Sequence, residues 1–216
     1  MIIAIDGPSG SGKSTLGRML ARALKLLYID TGSMYRAVAL ATIDAEIDPS
    51  DKDAVAALAD EIEIDLRGDP DSLSVLLNGR DVTDQIRTEK VTEMSSVVST
   101  IPGVRRAMVA RQRAIGKRGA VLNGRDIGTV VFPDADVKFF LTAVPEERAE
   151  RRYKEDKTST YAETLADMIE RDRRDSSRAD SPLKVADDAI VIDSTGKSID
   201  EVFAEMMKRI NVYGNH

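Results

Sequence analysis

Two hydrophobic patterns alternate along the chain. Short apolar runs without polar interruption occur at residues 2–5, 26–29, 120–122, 137–141 and 189–192. Continuous runs of this length are typical of strands that are covered on both faces. Between them, apolar residues lie three or four positions apart, as in Leu16, Leu20 and Ala23, and Ser198 with Glu201 is spaced as a helix-starting capping box. Strands alternating with helices predict an α/β fold, with a five-stranded parallel sheet and helices on both faces.

Residues 61–83 follow a different pattern. Apolar and polar residues alternate over 62–66 and again over 73–77, and the dipeptide Asn78-Gly79 follows. Alternation favours strands with one exposed face, and Asn-Gly is the strongest short hairpin signal. We therefore predict a small three-stranded antiparallel insertion, which serves either as a stabilising flap or as a substrate-side subdomain.

Composition and charge narrow the possible functions. The chain has 216 residues, 42% of them hydrophobic, so one core and a single domain are expected. It has no cysteine, which excludes disulfides and thiolate catalysis and favours a reducing, cytoplasmic location. No apolar run approaches the ~20 residues of a membrane-spanning helix. The net charge of -6 argues against a broad nucleic-acid surface, so neither a membrane nor a nucleic acid is an expected partner.

A glycine-rich loop lies between the first predicted strand and the first predicted helix. It consists of Gly7, Pro8, Ser9, Gly10, Ser11, Gly12, Lys13, Ser14 and Thr15. The loop matches G-x-x-x-x-G-K-[ST], the phosphate-binding P-loop, in the strand-to-helix context that this motif requires. Its backbone N–H groups and the helix N-terminus are suited to bind phosphates. We predict an ATP site, with Lys13 at the β- and γ-phosphates and Ser14 as the protein ligand of Mg²⁺.

A P-loop alone does not distinguish a kinase from a signalling GTPase or an ATP-driven machine. A GTPase needs a guanine-reading N-K-x-D, and the nearest sequence here, 123–126, reads NGRD without the lysine. The sequence DLRG at 65–68 matches the GTPase D-x-x-G, but it lies in a predicted hairpin strand, where no γ-phosphate would bind. The GTPase interpretation is therefore disfavoured.

The motif DTGSMYR at 30–36 follows the second predicted strand. Doubly wound sheets bind ligands beyond the carboxyl ends of their strands, so an acceptor site is expected there. The hydroxyls of Thr31 and Ser33 and the guanidinium of Arg36 are suited to bind a phosphate and a sugar. The alternative is a helix N-cap followed by an exposed arginine.

The motif GRDIGTVVFPDA at 124–135, together with the P-loop, DTGSMYR and RDRRDSSRADSPL at 171–183, resembles bacterial cytidylate kinases, also called (d)CMP kinases. The resemblance covers essentially the whole chain, including the hairpin insertion. It implies a P-loop nucleoside monophosphate kinase that transfers the γ-phosphoryl group of ATP to CMP or dCMP, with Mg²⁺ as cofactor and a monomeric state. A kinase of UMP or AMP, or a non-catalytic nucleotide-binding regulatory module, remains the alternative.

The resemblance also implies a division of this single kinase domain. The P-loop NTPase-type core covers about 1–30, 84–150 and 180–216. The region that binds the nucleoside monophosphate (NMP) covers about 31–100, with the inserted strands within 61–83, and a short arginine-rich lid covers about 151–178.

The resemblance further assigns CMP binding to Thr31, Arg36, Ser96, Arg105, Arg125, Asp126, Arg171, Asp175 and Arg178. Arg36, Arg125 and Arg178 are expected at the acceptor phosphate, whose oxygens guanidinium groups bind in pairs. Asp126 is expected to accept from the exocyclic amine of cytosine, with Ser96 and Arg105 at the other polar edge of the base. Arg171 and Asp175 are expected near the phosphate and the sugar.

The implied chemistry depends on positive charge rather than on a general base. In addition to Lys13, the candidate catalytic or lid residues are Arg148, Arg151, Arg152 and Arg174, and closing a lid over them would exclude water. The acceptor phosphate has a second pKa near 6, so it is largely ionised at neutral pH and needs no base. The single histidine, His216, is expected to be a solvated tail residue.

One position departs from the family pattern. Asn123 stands where members usually carry Asp, so the strand before GRD supplies no carboxylate for Mg²⁺. Ser14 and the nucleotide phosphates are then expected to carry more of the metal coordination.

Overall fold

The computed structural model describes residues 1–155 and 159–213, and the contacts among them group the chain into two compact units. The first unit holds Met1–Leu26 and the chain from Gly119 onward, and the second holds Leu27–Arg118. His216, predicted to be a tail residue, and residues 156–158 of the predicted lid lie outside the described residues.

Eight strands and eight helices are assigned in the described residues. The strands are β1 (Ile2–Asp6), β2 (Leu27–Asp30), β3 (Ile64–Arg67), β4 (Ser74–Leu77), β5 (Arg80–Asp81), β6 (Ala120–Gly124), β7 (Val137–Thr142) and β8 (Ile190–Asp193). The helices are α1 (Lys13–Leu24), α2 (Thr31–Asp44), α3 (Lys52–Glu61), α4 (Glu89–Val98), α5 (Pro102–Gly116), α6 (Pro145–Glu155), α7 (Tyr161–Ser177) and α8 (Ile199–Tyr213). A short 3-10 turn covers Gln85–Arg87, and a π-helical turn covers Ile127–Val131. None of the described helices has the length and apolar character needed to cross a bilayer.

The predicted five-stranded sheet is confirmed, with the strand order β2-β6-β1-β7-β8. β1 pairs in parallel with both β6 and β7, and β7 pairs in parallel with β8. Residues 3–5 and 120–122 are fully buried, which explains why these strands lack alternation. The register pairs Asp6 with Gly124, so the ends of β1 and β6 lie side by side and the segments that follow them start from the same edge of the sheet.

Helix α1 packs on the strands of the first unit. α1 packs against β6 and α8, and Leu16 and Leu20 of α1 are fully buried, as their spacing predicts. The predicted capping box at the start of α8 is confirmed, because Ser198 N donates to Glu201 Oε2 at 2.8 Å and Glu201 N donates to Ser198 Oγ at 3.3 Å.

The second unit contains the predicted antiparallel insertion. Its sheet has the order β3-β4-β5, with Ile64 opposite Leu77 and Leu66 opposite Val75. Asn78 and Gly79 join β4 to β5 with φ of 49° and 78°, the positive angles of the turn that Asn-Gly favours. Around this sheet α2 packs against α4, and α3 packs against α5. The sequence DLRG at 65–68 therefore lies in and directly after a hairpin strand, as predicted.

Candidate active site

The P-loop bends sharply between β1 and α1. Gly7 has φ of 145°, and a Cβ on this residue would lie 2.0 Å from the carbonyl oxygen of Leu141, so no side chain fits there. Gly12 occupies the N-cap position of α1 and, as a glycine, offers no side chain to the first amides of the helix. Those amides and the positive end of the helix dipole are therefore directed at the loop, which suits an anion.

The side chain of Lys13 is folded over this loop. Its Nζ donates to the carbonyl oxygen of Pro8 at 2.6 Å, and the side chain is buried. Burial, and next the positive charge of Arg125, hold the pKa of Lys13 well below its usual value, while Asp6 opposes the shift. An anionic phosphate on the loop would favour the charged ammonium, so the environment of Lys13 fits a phosphate-binding lysine.

Ser14 lies next to Asn123, and the two residues bear on the predicted metal. The Nδ2 of Asn123 donates to Ser14 Oγ at 3.0 Å, and Ser14 is exposed on the first turn of α1 while Asn123 is buried. A hydroxyl oxygen suits Mg²⁺, but an amide N–H directed at it adds no ligand. No cluster of three or more His, Cys, Asp or Glu side chains suited to a metal is found in the described residues. The Ser14 hydroxyl therefore fits the predicted metal, whereas Asn123 adds no ligand to it.

Three predicted acceptor residues of the first unit form one cluster. The Nε of Arg125 donates to Asp175 Oδ2 at 2.7 Å, and Arg178 binds Asp175 Oδ1. Burial favours a raised pKa for Asp175, but the charges of Arg125 and Arg178 outweigh it and hold the pKa below its usual value. Two guanidinium groups on one carboxylate leave a net positive charge, which suits a phosphate.

Asp126 follows Arg125 and is buried at the N-cap position of the π-helical turn, where its side chain accepts no capping hydrogen bond. The amides of that turn donate to Asp6 instead. Ile127 N donates to Asp6 Oδ1 at 2.8 Å, and Gly128 N donates to Asp6 Oδ2 at 2.7 Å. Asp6 was not among the predicted site residues. The signal in the sequence was an acidic residue that ends a buried strand immediately before the P-loop, where an apolar residue is expected.

The predicted lid arginines fall into two groups. Arg148 is buried, and it donates to Ala143 O at 2.9 Å and to Ser9 O at 3.0 Å and pairs with Asp172. Arg151 donates to Ser194 O at 2.8 Å, which ties α6 to the segment after β8.

The other two lid arginines are more exposed. The side chains of Arg152 and Arg174 are 49% and 40% exposed. Arg152 pairs with Glu155 and Arg174 pairs with Glu170, whereas Arg148 and Arg151 bind backbone carbonyls of other segments.

The DTGSMYR motif of the second unit forms the start of α2. Asp30 is the N-cap and accepts from Ser33 N at 3.4 Å, so the motif does cap α2, but Arg36 is only partly exposed. Its other oxygen pairs with Arg36 Nη2 at 3.3 Å, which directs the guanidinium toward the start of the helix, where Thr31 is buried.

The predicted base-reading partners Arg105 and Ser96 are both buried in the second unit. Arg105, on α5, donates to Ser99 O at 3.2 Å, and its guanidinium carbon lies 5.6 Å from the ring centroid of Tyr35. A planar cation over an aromatic face is held in a defined orientation. Tyr35, which the sequence interpretation did not single out, therefore helps to orient Arg105.

Comparison with known proteins identifies the family of the chain. A family model described as cytidylate kinase matches residues 3–212. The chain is 51% identical over 215 residues to a cytidylate kinase of Solibacter usitatus, covering 96% of this chain and 91% of the relative. It is 49% identical over 214 residues to a cytidylate kinase of a Geobacter species, covering 97% and 91%. An uncharacterized protein from Eubacterium ventriosum shares the fold, with a TM-score of 0.56 at 13% identity over 98% of each chain. The chain belongs to the cytidylate kinase family.

Proposed function

We propose that the protein transfers the γ-phosphoryl group of ATP to CMP and dCMP, giving CDP or dCDP and ADP. One observation carries the proposal most directly. In a chain of this family, a single unit holds both the P-loop with its buried Lys13 and the cluster of Arg125, Asp175 and Arg178. The first feature suits a triphosphate donor and the second suits a phosphate acceptor, and a kinase needs both.

On the donor side, the P-loop amides and the N-terminus of α1 bind the β- and γ-phosphates. When ATP binds, Lys13 Nζ releases the carbonyl oxygen of Pro8 and binds phosphate oxygens instead. The exchange needs only a small movement, because Pro8 belongs to the same loop. Ser14 is the residue that would hold Mg²⁺, and the bound metal supplies neutralisation of phosphate charge. Asn123 orients the Ser14 hydroxyl through its amide.

On the acceptor side, the residues proposed to bind the phosphate of CMP are Arg36, Arg125 and Arg178. Arg171 and Asp175 lie near the phosphate and the ribose. Asp126 accepts from the cytosine amine, and Thr31, Ser96 and Arg105 complete the CMP contacts. A carboxylate opposite the carbonyl of uracil would lose its hydrogen bond, a penalty of roughly 1–3 kcal/mol.

The transfer requires that the two substrates be held in line and that the negative charge of the transferred group be neutralised. An ionised oxygen of CMP attacks the γ-phosphorus in line, a new P–O bond forms, and the bond from the γ-phosphorus to the bridging oxygen breaks. ADP leaves with that electron pair. The acceptor is already ionised at neutral pH, so no side chain has to remove a proton. Of the four candidate lid arginines, the more exposed Arg152 and Arg174 neutralise the transferred group, while closure excludes water.

The same proposal includes a cytoplasmic monomer that acts in pyrimidine nucleotide metabolism, without a nucleic-acid or membrane partner. It keeps the division into a core, an NMP-binding region at about 31–100 and a lid at about 151–178.

A coupled assay of ADP release with CMP, dCMP, UMP, AMP and GMP as acceptors tests this function. We expect the highest kcat/KM with CMP and dCMP. Preference for UMP or AMP would replace the cytosine assignment, and no release with any acceptor would favour a non-catalytic nucleotide-binding module.

A further inference from the structure

Asp6 ends β1 and directly precedes the P-loop, yet its carboxylate binds a segment far along the chain. Its Oδ1 accepts from Ile127 N at 2.8 Å and its Oδ2 accepts from Gly128 N at 2.7 Å. The side chain is buried. Two consecutive amides thus use both oxygens of one carboxylate, and charge-assisted hydrogen bonds of this kind are among the strong ones in proteins.

These two amides are the first of the π-helical turn Ile127–Val131. The first amides of a helical turn have no acceptor within the turn, and the residue at the N-cap usually supplies one. Here Asp126 holds the N-cap position but does not cap the turn. Asp6 caps it from the neighbouring strand, so the Asp126 carboxylate is not needed for this purpose.

Gly128 packs tightly against two side chains, which restricts the turn further. A Cβ on Gly128 would lie 3.4 Å from Asp6 Oδ2 and 3.1 Å from Lys138 Cδ. The Nζ of Lys138 in turn binds Asp188 at 2.8 Å. The backbone after Asp126 is therefore clamped between a carboxylate of β1 and an anchored lysine of β7.

The charges around Asp6 are consistent with a clamp that works near neutral pH. Burial raises the pKa of Asp6 to about 6, while the amides of Gly128 and Ile127 limit the rise. The negative charge of Asp126 raises this pKa further, and the positive charge of Lys13 lowers it. The carboxylate is accordingly mostly ionised at pH 7, where both amides find an acceptor.

We propose that Asp6 is a positioning residue for base selectivity, which caps the turn after Asp126 and so holds that carboxylate in the orientation that distinguishes cytosine from uracil. The inference rests on the proposed function, because it takes Asp126 as the residue that reads the base. It adds a direct link between the base-reading turn and the strand that leads into the P-loop.

The test compares kcat/KM for CMP and for UMP in the wild type and in Asp6→Asn. The asparagine keeps one acceptor oxygen, but its NH₂ faces an amide donor and the charge is lost. We expect kcat/KM for CMP to fall by roughly 10-fold or more, which corresponds to losing one charge-assisted hydrogen bond. We expect a smaller fall for UMP, so that the CMP-to-UMP ratio drops, while the KM for ATP changes by less than about threefold.

Two further variants keep the test decisive. Gly128→Ala crowds the same turn against Lys138 and Asp6 and should lower the CMP-to-UMP ratio even if Asp6→Asn does not fold. Asp136→Asn is the matched control, because Asp136 accepts from Ile2 N at 2.6 Å at the opposite end of β1. It should leave the ratio unchanged.

The outcomes separate this inference from the proposed function. If the wild type does not prefer CMP, the proposed function fails. If the wild type prefers CMP and Asp126→Asn abolishes the preference, but Asp6→Asn and Gly128→Ala lower both rates equally, Asp6 is only structural and the inference fails. A loss of preference in all three variants supports it.

Discussion

The amide Nδ2 of Asn123 lies 3.0 Å from Ser14 Oγ, so a neutral group adjoins the hydroxyl that is proposed to hold Mg²⁺. A carboxylate at this position would attract a divalent cation, whereas an amide contributes no charge. The protein is therefore expected to depend on the phosphates of the nucleotide for most of its metal affinity.

Replacing Asn123 by Asp should strengthen metal binding. The introduced carboxylate would lie beside Ser14. We therefore expect the Mg²⁺ concentration for half-maximal binding of a fluorescent ATP analogue to fall several-fold, by roughly tenfold at the most. Asn78→Asp is the matched control, since Asn78 accepts from Glu63 N in the hairpin turn and Asp keeps that acceptor. An unchanged Mg²⁺ dependence in Asn123→Asp would show that position 123 does not influence the metal.

Removing the P-loop ammonium should abolish most of the turnover without unfolding the protein. In Lys13→Ala the transition state loses a positive charge at the transferred group, so kcat is expected to fall by about 100-fold or more. Circular dichroism and thermal unfolding check the fold, and Lys90→Ala, at an exposed position of α4, is the control. Near-normal turnover in Lys13→Ala would contradict the phosphate role of this loop.

The buried carboxylate of Asp6 should make stability depend on pH in a definite direction. Its pKa is about 6 in the folded protein, above the usual aspartate value of 3.8 expected for the unfolded chain. As the pH rises, Asp6 therefore loses its proton at a lower pH in the unfolded chain than in the folded protein. Its contribution to the free energy of unfolding is complete below pH 3.8 and is lost as the pH rises through about 6. The loss in the free energy of unfolding is of the order of 3 kcal/mol.

Urea unfolding of the wild type and Asp6→Asn at about pH 4 and about pH 7.5 measures this effect. Asn does not titrate, so the free energy of unfolding of the wild type should fall relative to that of the variant as the pH rises. Asp126 and Lys13, the charged groups that influence Asp6, are present in both proteins. A difference between the two proteins that does not change with pH would mean that Asp6 titrates normally.

The sequence predicted the parts of this fold that depend on local pattern. Continuous apolar runs identified the strands of the parallel sheet, Asn78-Gly79 identified the hairpin, and the P-loop motif identified the start of α1. The spacing of Ser198 and Glu201 likewise gave the start of α8, because capping depends on residues within one turn.

The features that the sequence did not predict depend on contacts between distant residues. Asp6 and the amides that it binds are separated by 121 and 122 positions, so no local pattern reveals the clamp or the π-helical turn. Arg148 and Arg151 occupy a highly charged helix and resemble surface residues in the sequence, yet they bind the Ser9 and Ser194 carbonyls. Which arginines of a charged helix point inward is decided by tertiary packing rather than by spacing.

The most direct test of the central claim is to identify the products when the purified protein is mixed with ATP, Mg²⁺ and CMP. In ³¹P NMR spectra, transfer by the proposed chemistry predicts that CDP and ADP appear in equal amounts while ATP and CMP disappear together. Release of inorganic phosphate without CDP, or no change in CMP while ATP is consumed, would contradict the assignment of this protein as a CMP-phosphorylating kinase.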